Sequence, residues 1–356
     1  MRLLLIGPLP PPIGGARVLF SKFTQTLQSI PECEVEVIQT WSPRGSWWTK
    51  MKEAFSCFSA ILKKSRDVDL ISFWASYNGS LFFSPLVWLA AKKAGIPWQV
   101  RRFGSGMRKS WEEMGPFEKI LTKFLFHKAD QILLETKTAL GELKKNFPQT
   151  KFGWHGNFRP IPSGVEHVFK KTCRRFVFLG KIIPEKGVEE IIQAAGRFPP
   201  GEIEVGLYGT LTGAYLELNF ESFRNLSYCG IASPDSIPEL LSGFDALLLP
   251  TRYYREGYPG VILEAYMAGI PVITSDMPSL KEIVDARSGI LVKANAPNEL
   301  YEAMRLLTSN PERYQALARG AYEKREHFSL QTGVQRYIEL CRAAVDGYQR
   351  LDDIGA

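Results

Sequence analysis

The chain contains few cysteines, and none of them stands in a Cys-x-x-Cys pair. Among its 356 residues, cysteine occurs five times, at widely scattered positions. These are Cys33, Cys57, Cys173, Cys229 and Cys341. An odd number at such spacing argues against a disulfide framework and a zinc site, and it favours a reducing compartment.

Long hydrophobic runs are also absent. The apolar stretch at residues 2–6 is soon followed by Pro8 and by the prolines at 10–12, so it is too short for the core of a signal peptide. The longest nearly uncharged stretch, residues 70–91, is interrupted by polar residues, Gly79 and Pro85. We interpret it as a buried strand and helix, and we predict a cytoplasmic protein without a transmembrane segment.

The composition is that of a globular protein, but its charge is unevenly distributed. With 45% hydrophobic and 23% charged residues, a disordered or collagen-like chain is excluded. The length predicts two domains at roughly 150 residues each. Residues 1–170 contain 24 basic and 13 acidic side chains, a net charge of +11, whereas the remaining 20 and 24 give −4. All eight tryptophans precede residue 160, so the two halves are expected to face different partners.

Short apolar runs alternate with helical patterns in both halves. Candidate strands of the first half lie at 2–7, 35–38, 70–73, 98–101 and 131–134. After a linker at 157–171, the pattern restarts with candidate strands at 175–180, 205–208, 226–229, 246–249 and 271–274. This alternation predicts parallel sheets covered on both faces. We therefore predict an α/β protein of two doubly wound, Rossmann-like domains that face each other across a cleft.

The loops after the first strand of each half are candidate binding sites, because doubly wound sheets bind ligands beyond the carboxyl ends of their strands. Gly14 and Gly15 precede a helix, where backbone N–H groups can approach an anion, although a simple turn is the alternative. Lys181 and Lys186 in the second loop would suit a diphosphate, or they are solvated surface lysines. Neither loop has the spacing of a dinucleotide-binding or Walker A motif.

Residues 251–269 carry the strongest pattern. Glu256 lies in a Gly/Pro loop, and Glu264 lies on the helix that follows, with seven residues between them. Carboxylates accept hydrogen bonds from neighbouring hydroxyls, and the N-terminus of a helix favours an anion. The arrangement suits a ligand with a sugar at each end and phosphate between them. Carboxylates held in ordinary salt bridges are the alternative interpretation.

The segment that runs from Glu256-Gly-Tyr-Pro through Glu264-Ala to Gly269 closely resembles the E-x7-E motif of retaining GT-B glycosyltransferases, in particular glycosyltransferase family 4. The likeness extends through the second half. Residues 178–187 resemble the diphosphate loop of the family, and residues 207–210 its glycine-ended strand. Residues 244–251 are similar to the strand ahead of the motif, and residues 269–273 are similar to the end of the motif. In the first half, only the Gly14-Gly15 loop is distinctive.

The resemblance implies a hexosyltransferase that moves a sugar from a nucleotide-diphosphate sugar with retained configuration and without a cofactor or metal. An acceptor-binding domain would span residues 1–165 and a donor-binding domain residues 170–334. A last helix, at about 335–356, would pack back on the first domain.

The resemblance also implies roles for individual residues. Lys181 and Lys186 would hold the diphosphate and stabilise it as it leaves. Glu256, the third predicted catalytic residue, would bind hydroxyls of the donor sugar, and Glu264 those of the ribose. They would orient the donor, unlike the acid and nucleophile of a glycosidase. The other predicted donor-binding residues are Gly14, Gly15, Phe103, Gly104, Gly180, Gly209, Gly257, Tyr258, Pro259, Gly260 and Val261.

The chain departs from the family at one position. Family members usually carry His-Gly at the end of a first-domain strand, where this sequence has Phe103-Gly104. A contact through the backbone carbonyl would be kept, whereas a contact through an imidazole would be lost. The identity of the donor sugar therefore stays open.

Two other patterns are interpreted as structural. The histidines fall on helix or linker patterns; they are His127, His155, His167 and His327. Asp67-Val-Asp69 mimics a metal-binding D-x-D motif, but it precedes a strand instead of following one. We interpret it as a turn and expect no metal.

The basic, tryptophan-rich half suggests a surface for the acceptor. Between residues 47 and 66, apolar residues recur at helical spacing, with lysines on the other faces. This predicts an amphipathic helix that packs on its own sheet or lies on an anionic membrane. A second basic cluster, with Trp111 and Phe117 between its members, comprises Arg101, Arg102, Arg108, Lys109, Lys119, Lys123 and Lys128. Since many acceptors of the family are lipid-linked, we hypothesise a peripheral protein on the inner leaflet.

The predicted function is transfer of a sugar to a lipid-linked or saccharide acceptor in polysaccharide, lipopolysaccharide or glycolipid assembly. The alternatives are a nucleotide-sugar epimerase of the same architecture and a non-catalytic protein that binds sugar nucleotides. A nucleic-acid partner is not expected, because the sequence has no recognised nucleic-acid motif and its whole-chain charge is modest.

Overall fold

The computed structural model describes residues 1–11, 14–40, 47–104, 113–162, 168–254 and 256–352, with side chains except at 47–54 and 349–352. The chain divides into two compact units. Unit 1 comprises Met1–Asn157 and Leu330–Ala356, and unit 2 comprises Phe158–Ser329. Within the described ranges, every helix is too short or too polar to cross a bilayer.

Unit 1 is built on a parallel six-stranded sheet. Its strands are β1 (Arg2–Gly7), β2 (Glu34–Gln39), β3 (Leu70–Ala75), β4 (Trp98–Arg102), β5 (Gln131–Leu134) and β6 (Phe152–Trp154). Its helices begin with α1 (Gly15–Gln28), α2 (Trp47–Lys64), α3 (Tyr77–Ala94), α4 (Pro116–Lys128) and α5 (Lys137–Asn146). The strand order is β2-β1-β3-β4-β5-β6. The order reverses between β1 and β3, which places the crossover helices on both faces of the sheet.

Local sequence explains these elements. Strand β1 is a continuous run of buried apolar side chains, as expected of a parallel strand covered on both faces. Helix α3 begins at Ser76, whose Oγ accepts a hydrogen bond from the Gly79 N–H at 3.3 Å. It ends at Gly95, whose φ of +68° is left-handed and therefore favours glycine.

Unit 2 is built on a second parallel six-stranded sheet. Its strands are β7 (Arg175–Leu179), β8 (Glu204–Tyr208), β9 (Leu226–Tyr228), β10 (Ala246–Leu249), β11 (Val272–Ser275) and β12 (Gly289–Val292). Its helices are α6 (Val188–Ala195), α7 (Ile237–Ser242), α8 (Gly260–Met267), α9 (Pro278–Lys281), α10 (Pro297–Ser309) and α11 (Pro311–Lys324). The order β12-β11-β10-β7-β8-β9 is that of a Rossmann sheet, and it reverses between β7 and β10.

The last helix, α12 (Leu330–Asp352), contacts α1 and β3 of unit 1. Its Tyr337 is buried, and the hydroxyl donates a hydrogen bond to Ser72 Oγ of β3 at 2.6 Å. The end of the chain therefore completes the core of the unit in which the chain begins.

The two parallel sheets confirm the predicted α/β fold class, and all ten candidate strands are present. The sequence analysis missed β6 and β12, which lie at the edge of their respective sheets. Each is short and contains a glycine, Gly153 or Gly289. A Cβ at Gly153 would lie 2.7 Å from a methyl of Leu133, so its neighbours fill the space. In β6 the glycine stands between the two other residues of a three-residue strand, so no apolar periodicity could indicate it.

The Asp67-Val-Asp69 segment begins with the last residue of a short 3-10 helix, Ser65–Asp67, and connects it to β3, which begins at Leu70. Asp69 Oδ2 accepts a hydrogen bond from the backbone N–H of Arg2 at 2.7 Å, so this carboxylate joins the start of β1 to the start of β3.

Candidate active site

Three loops of unit 2 meet at the carboxyl edge of its sheet, where glycines allow the backbones to touch. Gly209, after β8, has a φ of +148°, and a Cβ there would lie 1.6 Å from the carbonyl oxygen of Gly180. Gly187, after β7, has a φ of +79°, and its Cβ would lie 2.1 Å from the Pro250 oxygen. Both neighbours are backbone atoms, so larger residues would push the loops apart.

Lys186 and Glu256 form an ion pair at this edge. Lys186 ends a 3-10 turn, Pro184–Lys186, in the loop after β7, and Glu256 lies in the loop after β10. The Lys186 ammonium contacts Glu256 Oε2, and the Thr251 hydroxyl lies 3.2 Å from the same oxygen. Both charged side chains are mostly buried. The structure therefore joins two predicted catalytic residues across β7 and β10, the strands between which the order reverses.

The backbone around Glu256 is held on both sides. Its N–H donates to the carbonyl oxygen of Tyr253 at 2.8 Å, and its own carbonyl accepts a hydrogen bond from Ser279 Oγ at 2.9 Å. Arg252 ties the same loop to α6 through Glu190 Oε1, at 2.6 Å. The position of the Glu256 carboxylate is therefore set by the surrounding fold.

Lys181 differs from Lys186. Its side chain is exposed, and within the described part of the chain no hydrogen bond or ion pair holds it. The sequence offers no reason to distinguish the two lysines, whereas in the structure Lys186 is held in an ion pair and Lys181 is an exposed surface cation.

Glu264 is paired with an arginine that the sequence analysis missed. Arg159 Nε donates to Glu264 Oε1 at 2.7 Å, and both side chains are largely buried. A Cβ at Gly260 would lie 1.7 Å from Arg159 Nη2, so this glycine leaves room for the guanidinium. Arg159 belongs to the predicted linker, 105 residues before its partner, and no local pattern links the two.

Helix α8 begins beside both glutamates. Pro259 is its N-cap, no side chain caps it, and its first turn has no acidic residue. Gly257, Tyr258 and Pro259 are buried, and the Tyr258 ring packs edge-on against Phe328 at a centroid distance of 6.0 Å. The buried residues 257–259 therefore lead into a helix N-terminus that no side chain caps. Such an N-terminus suits an anion, because the first N–H groups and the helix dipole both favour negative charge.

The predicted donor-binding glycines of unit 1 lie at the start of α1. Gly14 is the N-cap and Gly15 the first helical residue, again without a side-chain cap or a first-turn carboxylate. Among the described residues, a Cβ at either position would meet no atom within 4 Å. The packing of the described part of the chain therefore does not require these glycines.

The Phe103-Gly104 segment is supported by a buried cation. Arg101 is 0% exposed, and its guanidinium carbon lies 4.6 Å from the Phe103 ring centroid. It forms an ion pair with Glu135 at 3.1 Å, and the other carboxylate oxygen of Glu135 accepts the Gly104 N–H at 2.8 Å. Burial lowers the pKa of Arg101, while the Glu135 carboxylate opposes that shift.

The Arg101 guanidinium also binds residues 156 and 157, where the chain passes from unit 1 to unit 2. Arg101 Nη2 donates to the Gly156 carbonyl oxygen at 3.0 Å and to Asn157 Oδ1 at 2.8 Å. Next to them, His155 is fully buried, and its Nε2 lies 3.2 Å from the Gly333 carbonyl oxygen. Burial, together with the charge of Arg101, lowers the pKa of His155 well below its usual value. Its ring is therefore neutral.

The predicted basic surface is partly wrong. Arg101 and Arg102 are buried, and Arg102 stacks on Tyr77 at 4.8 Å, so neither presents its charge to an outside partner. Lys123 and Lys128 of α4 are exposed. Several members of the two predicted basic patterns fall outside the described side chains: Trp48, Lys50, Met51, Lys52, Arg108, Lys109 and Trp111. His167 also lies outside the described residues.

Unit 2 matches a known protein family. The model of "Glycosyl transferases group 1" matches residues 165–324. A D-inositol 3-phosphate glycosyltransferase of Paenarthrobacter aurescens (strain TC1) is 30% identical over 185 residues, which are 48% of this chain and 44% of that protein. The D-rhamnosyltransferase WbpZ of Pseudomonas aeruginosa (strain PAO1) is 22% identical over 58% of this chain and 56% of its own. The chain thus spans about half the length of the curated relatives it matches.

Solved structures are similar over both units. Anabaena Alr3699/HepE in complex with UDP has a TM-score of 0.72 at 17% identity, covering 96% of this chain and 100% of that one. The lipopolysaccharide outer core galactosyltransferase WaaB, in its apo form, has a TM-score of 0.66 at 16% identity, covering 97% and 99%. At such identities the likeness concerns the fold, and it confirms the GT-B fold that the motif resemblance implied.

Proposed function

Because residues 165–324 belong to the group 1 glycosyl transferases, which are glycosyltransferase family 4, we propose that the chain is a retaining glycosyltransferase that uses a nucleotide-diphosphate sugar. The observation that carries this proposal is the pairing of Lys186 with Glu256 at the switch point of the second sheet. It places a cation that suits a diphosphate beside a carboxylate that suits sugar hydroxyls. The family itself is the one that the E-x7-E resemblance predicted.

In the proposed reaction, unit 2 stabilises the leaving diphosphate. Lys186 and the first N–H groups of α8, at Gly260 and Val261, would face the phosphate oxygens, and the exposed Lys181 would close over them. Fixed cations and N–H dipoles at the place where negative charge develops lower the barrier to bond cleavage. Phosphate oxygens would compete with Glu256 for Lys186, which would free the Glu256 carboxylate for the sugar.

Glu264 would bind the ribose hydroxyls. Its partner Arg159 fixes one carboxylate oxygen and leaves the other for hydrogen bonds from the ligand. Gly180, Gly209 and the segment from Gly257 to Val261 would form the walls around the donor. The contacts of Gly14, Gly15, Phe103 and Gly104 with the donor stay predictions.

The donor is proposed to be a uridine-diphosphate sugar. Anabaena Alr3699/HepE has been solved with UDP and with UDP-glucose, and it shares the fold of this chain. Its identity of 17% leaves the sugar to be found by experiment.

The acceptor is proposed to be lipid-linked or a saccharide, in the assembly of a surface polysaccharide or lipopolysaccharide. WbpZ, a rhamnosyltransferase, and WaaB, a lipopolysaccharide galactosyltransferase, support this role. We further propose that unit 1 binds peripherally to the inner leaflet. Apolar side chains on three of its helices are exposed, and so are Lys123 and Lys128 of α4. The exposed apolar residues are Phe55, Phe82, Leu89, Phe117 and Ile120.

Incubation with a panel of nucleotide sugars tests the reaction class. Nucleotide release that depends on an acceptor supports transfer, sugar conversion without release supports an epimerase, and binding alone supports a non-catalytic protein. Flotation with anionic liposomes at low salt tests membrane binding, and a chain that stays in solution contradicts it.

Glu256→Ala tests the site. Loss of a contact that strengthens in the transition state lowers kcat by roughly 100- to 1,000-fold, so we expect acceptor-dependent transfer to fall by that order. The matched control is Glu239→Ala, an exposed glutamate on α7, which should keep its activity. If Glu256→Ala transfers sugar at the normal rate, the site assignment is wrong.

A further inference from the structure

Unit 1 contains a cavity whose lining includes Phe103, one of the predicted donor-binding residues. It has a volume of about 400 Å³ and opens at the carboxyl edge of the first sheet. It lies between the loops that follow β1 and β3, where the strand order of this sheet reverses. The switch point is where doubly wound sheets bind ligands, and the volume is in the range of small-molecule sites.

The walls of the cavity are mainly aromatic. Among the described residues, four phenylalanines and one tryptophan line it: Phe73, Phe82, Phe83, Phe103 and Trp74. The polar side chains of the lining are those of Arg17, Thr40, Ser76 and Asn78, and the hydroxyl of Ser76 is engaged in capping α3. None of the described lining residues is a carboxylate. Because most of the wall is apolar, a hydrocarbon chain can be buried against it without loss of hydrogen bonds.

An apolar path leads from the cavity to the surface. Phe82 lines the cavity and is 49% exposed. Its ring lies 6.3 Å from that of Phe117 on α4, and Phe117 and Ile120 are themselves exposed. A contiguous exposed apolar patch that runs into a pocket is typical of a site for a hydrophobic ligand.

One cation lies in the wall. Arg17 of α1 is the single charged residue among the described lining residues. One of its N–H groups donates to the Leu9 carbonyl oxygen at 2.8 Å, and this bond fixes the guanidinium while other donors remain. A guanidinium is well suited to bind a phosphate group.

We propose that this cavity binds an amphiphilic acceptor, with its hydrocarbon chain among the phenylalanines and its phosphate at Arg17. The inference rests on the proposed transferase function, since only a transferase requires an acceptor. Of the two acceptor classes proposed above, the cavity favours a lipid-linked phosphate over a free saccharide.

Calorimetric titration of the full chain with monomeric n-alkyl phosphates of four, six and eight carbons tests the proposal. Each buried methylene contributes about 0.8 kcal/mol, so affinity should rise roughly fourfold per methylene. Inorganic phosphate, which offers the charge without the chain, should bind far more weakly than octyl phosphate. Equal affinity across the series, or equally tight binding of inorganic phosphate, would overturn the proposal.

Two matched variants locate the binding. Phe82→Asp and Leu89→Asp alter residues of the same helix with 49% and 46% exposure, but only Phe82 lines the cavity. Phe82→Asp should remove the dependence on chain length, and Leu89→Asp should keep it. Because both side chains are half exposed, both variants should fold, as circular dichroism can show. Equal behaviour of the two contradicts the proposed location.

Arg17→Met tests the phosphate position. It should lower the affinity for octyl phosphate to that for octanol while the dependence on chain length persists. An unchanged preference for the phosphate over the alcohol would contradict the assignment of Arg17.

Titration of the same samples with UDP separates this inference from the proposed function. A chain that binds UDP but shows no dependence on chain length refutes the lipid acceptor and leaves the transferase proposal standing. A chain that shows the dependence but binds no nucleoside diphosphate supports the cavity as an amphiphile site and refutes the donor site.

Discussion

The carboxyl edges of the two sheets are built from different chemistry on the same topology. In unit 2, backbone-to-backbone contacts at Gly187 and Gly209 surround the ion pairs Lys186–Glu256 and Arg159–Glu264. In unit 1, aromatic rings line a cavity, and the cation Arg101 is buried below them. A parallel sheet fixes where a site lies, but side chains decide whether the site suits a charged or an apolar ligand.

The net charge of each half does not show which of its charged side chains are exposed. The basic first half was expected to present its charge outward, yet Arg101 is a buried structural cation in unit 1. In the net-acidic second half, Lys186 is held by an ion pair with Glu256, beside the start of α8. Net charge thus says little about where charge is available.

The largest effect is expected from breaking the buried pair of unit 1. Arg101→Met leaves Glu135 buried without its cation, which should destabilise unit 1 by about 3–5 kcal/mol. Arg2→Met, which breaks the partly exposed pair with Asp69 in the same unit, should cost less than about 1 kcal/mol. All eight tryptophans lie in unit 1, so urea unfolding followed by tryptophan fluorescence reports on this unit. Equal losses in both variants would show that Arg101 is not a structural cation.

The second largest loss of stability is expected from a glycine substitution in unit 2. Gly209→Ala forces a Cβ against the Gly180 carbonyl at a positive φ, and it should destabilise unit 2 by about 2–3 kcal/mol. Gly15→Ala introduces a good helix former into open space and should leave unit 1 unchanged or more stable by up to about 1 kcal/mol. Thermal unfolding followed by circular dichroism compares the two. A stable Gly209→Ala protein would mean that the loops of unit 2 are not held by close backbone contact.

A smaller effect is expected at Arg159. Arg159→Lys keeps the charge but loses the fixed guanidinium geometry at Glu264, and a charge-assisted hydrogen bond contributes about 1.5–3 kcal/mol. The KM for the donor should therefore rise on the order of tenfold, with little change in kcat. Arg313→Lys is the control, because Arg313 is a partly exposed arginine on α11 that donates to the Ala286 carbonyl oxygen. A fall in kcat at constant KM would contradict a role in ribose binding.

The smallest effect is the pH dependence of unit 1. The pKa of His155 is lowered by burial in the folded state, so the unfolded chain binds the extra proton as the pH falls below the usual value of 6.5. Stability should therefore fall with decreasing pH, by at most about 1.4 kcal/mol per pH unit. His155→Gln should reduce this slope between pH 7 and 5.5. Tryptophan-monitored urea unfolding at each pH measures it, and an unchanged slope in His155→Gln would refute the assignment.

Much of the fold could be predicted because its signals are local. Runs such as Leu3–Ile6 and Leu247–Leu249 stand out as buried parallel strands, whereas β6 has only three residues with a glycine in the middle. The Glu256 and Glu264 motif was visible for the same reason, since a loop and the helix that follows it carry both residues within nine positions.

Partners that are distant in the chain could not be predicted. Arg159 and Glu264 are 105 residues apart, and Lys186 and Glu256 are 70 apart. The sequence could not distinguish Lys186 from Lys181, because Lys186 is paired with Glu256 from a loop 70 residues away, whereas Lys181 is exposed. It also could not separate the buried Arg101 from the exposed Lys123.

The sequence by itself determined the alternation of strand and helix, the two-sheet architecture and the family of the second half, because each depends on residues close together in the chain. Only the tertiary structure decided which cations are paired, which are buried and where an apolar cavity opens. Those properties depend on strand order, which brings loops separated by many residues to one edge of a sheet, and on burial, which turns an arginine from a surface charge into part of the core.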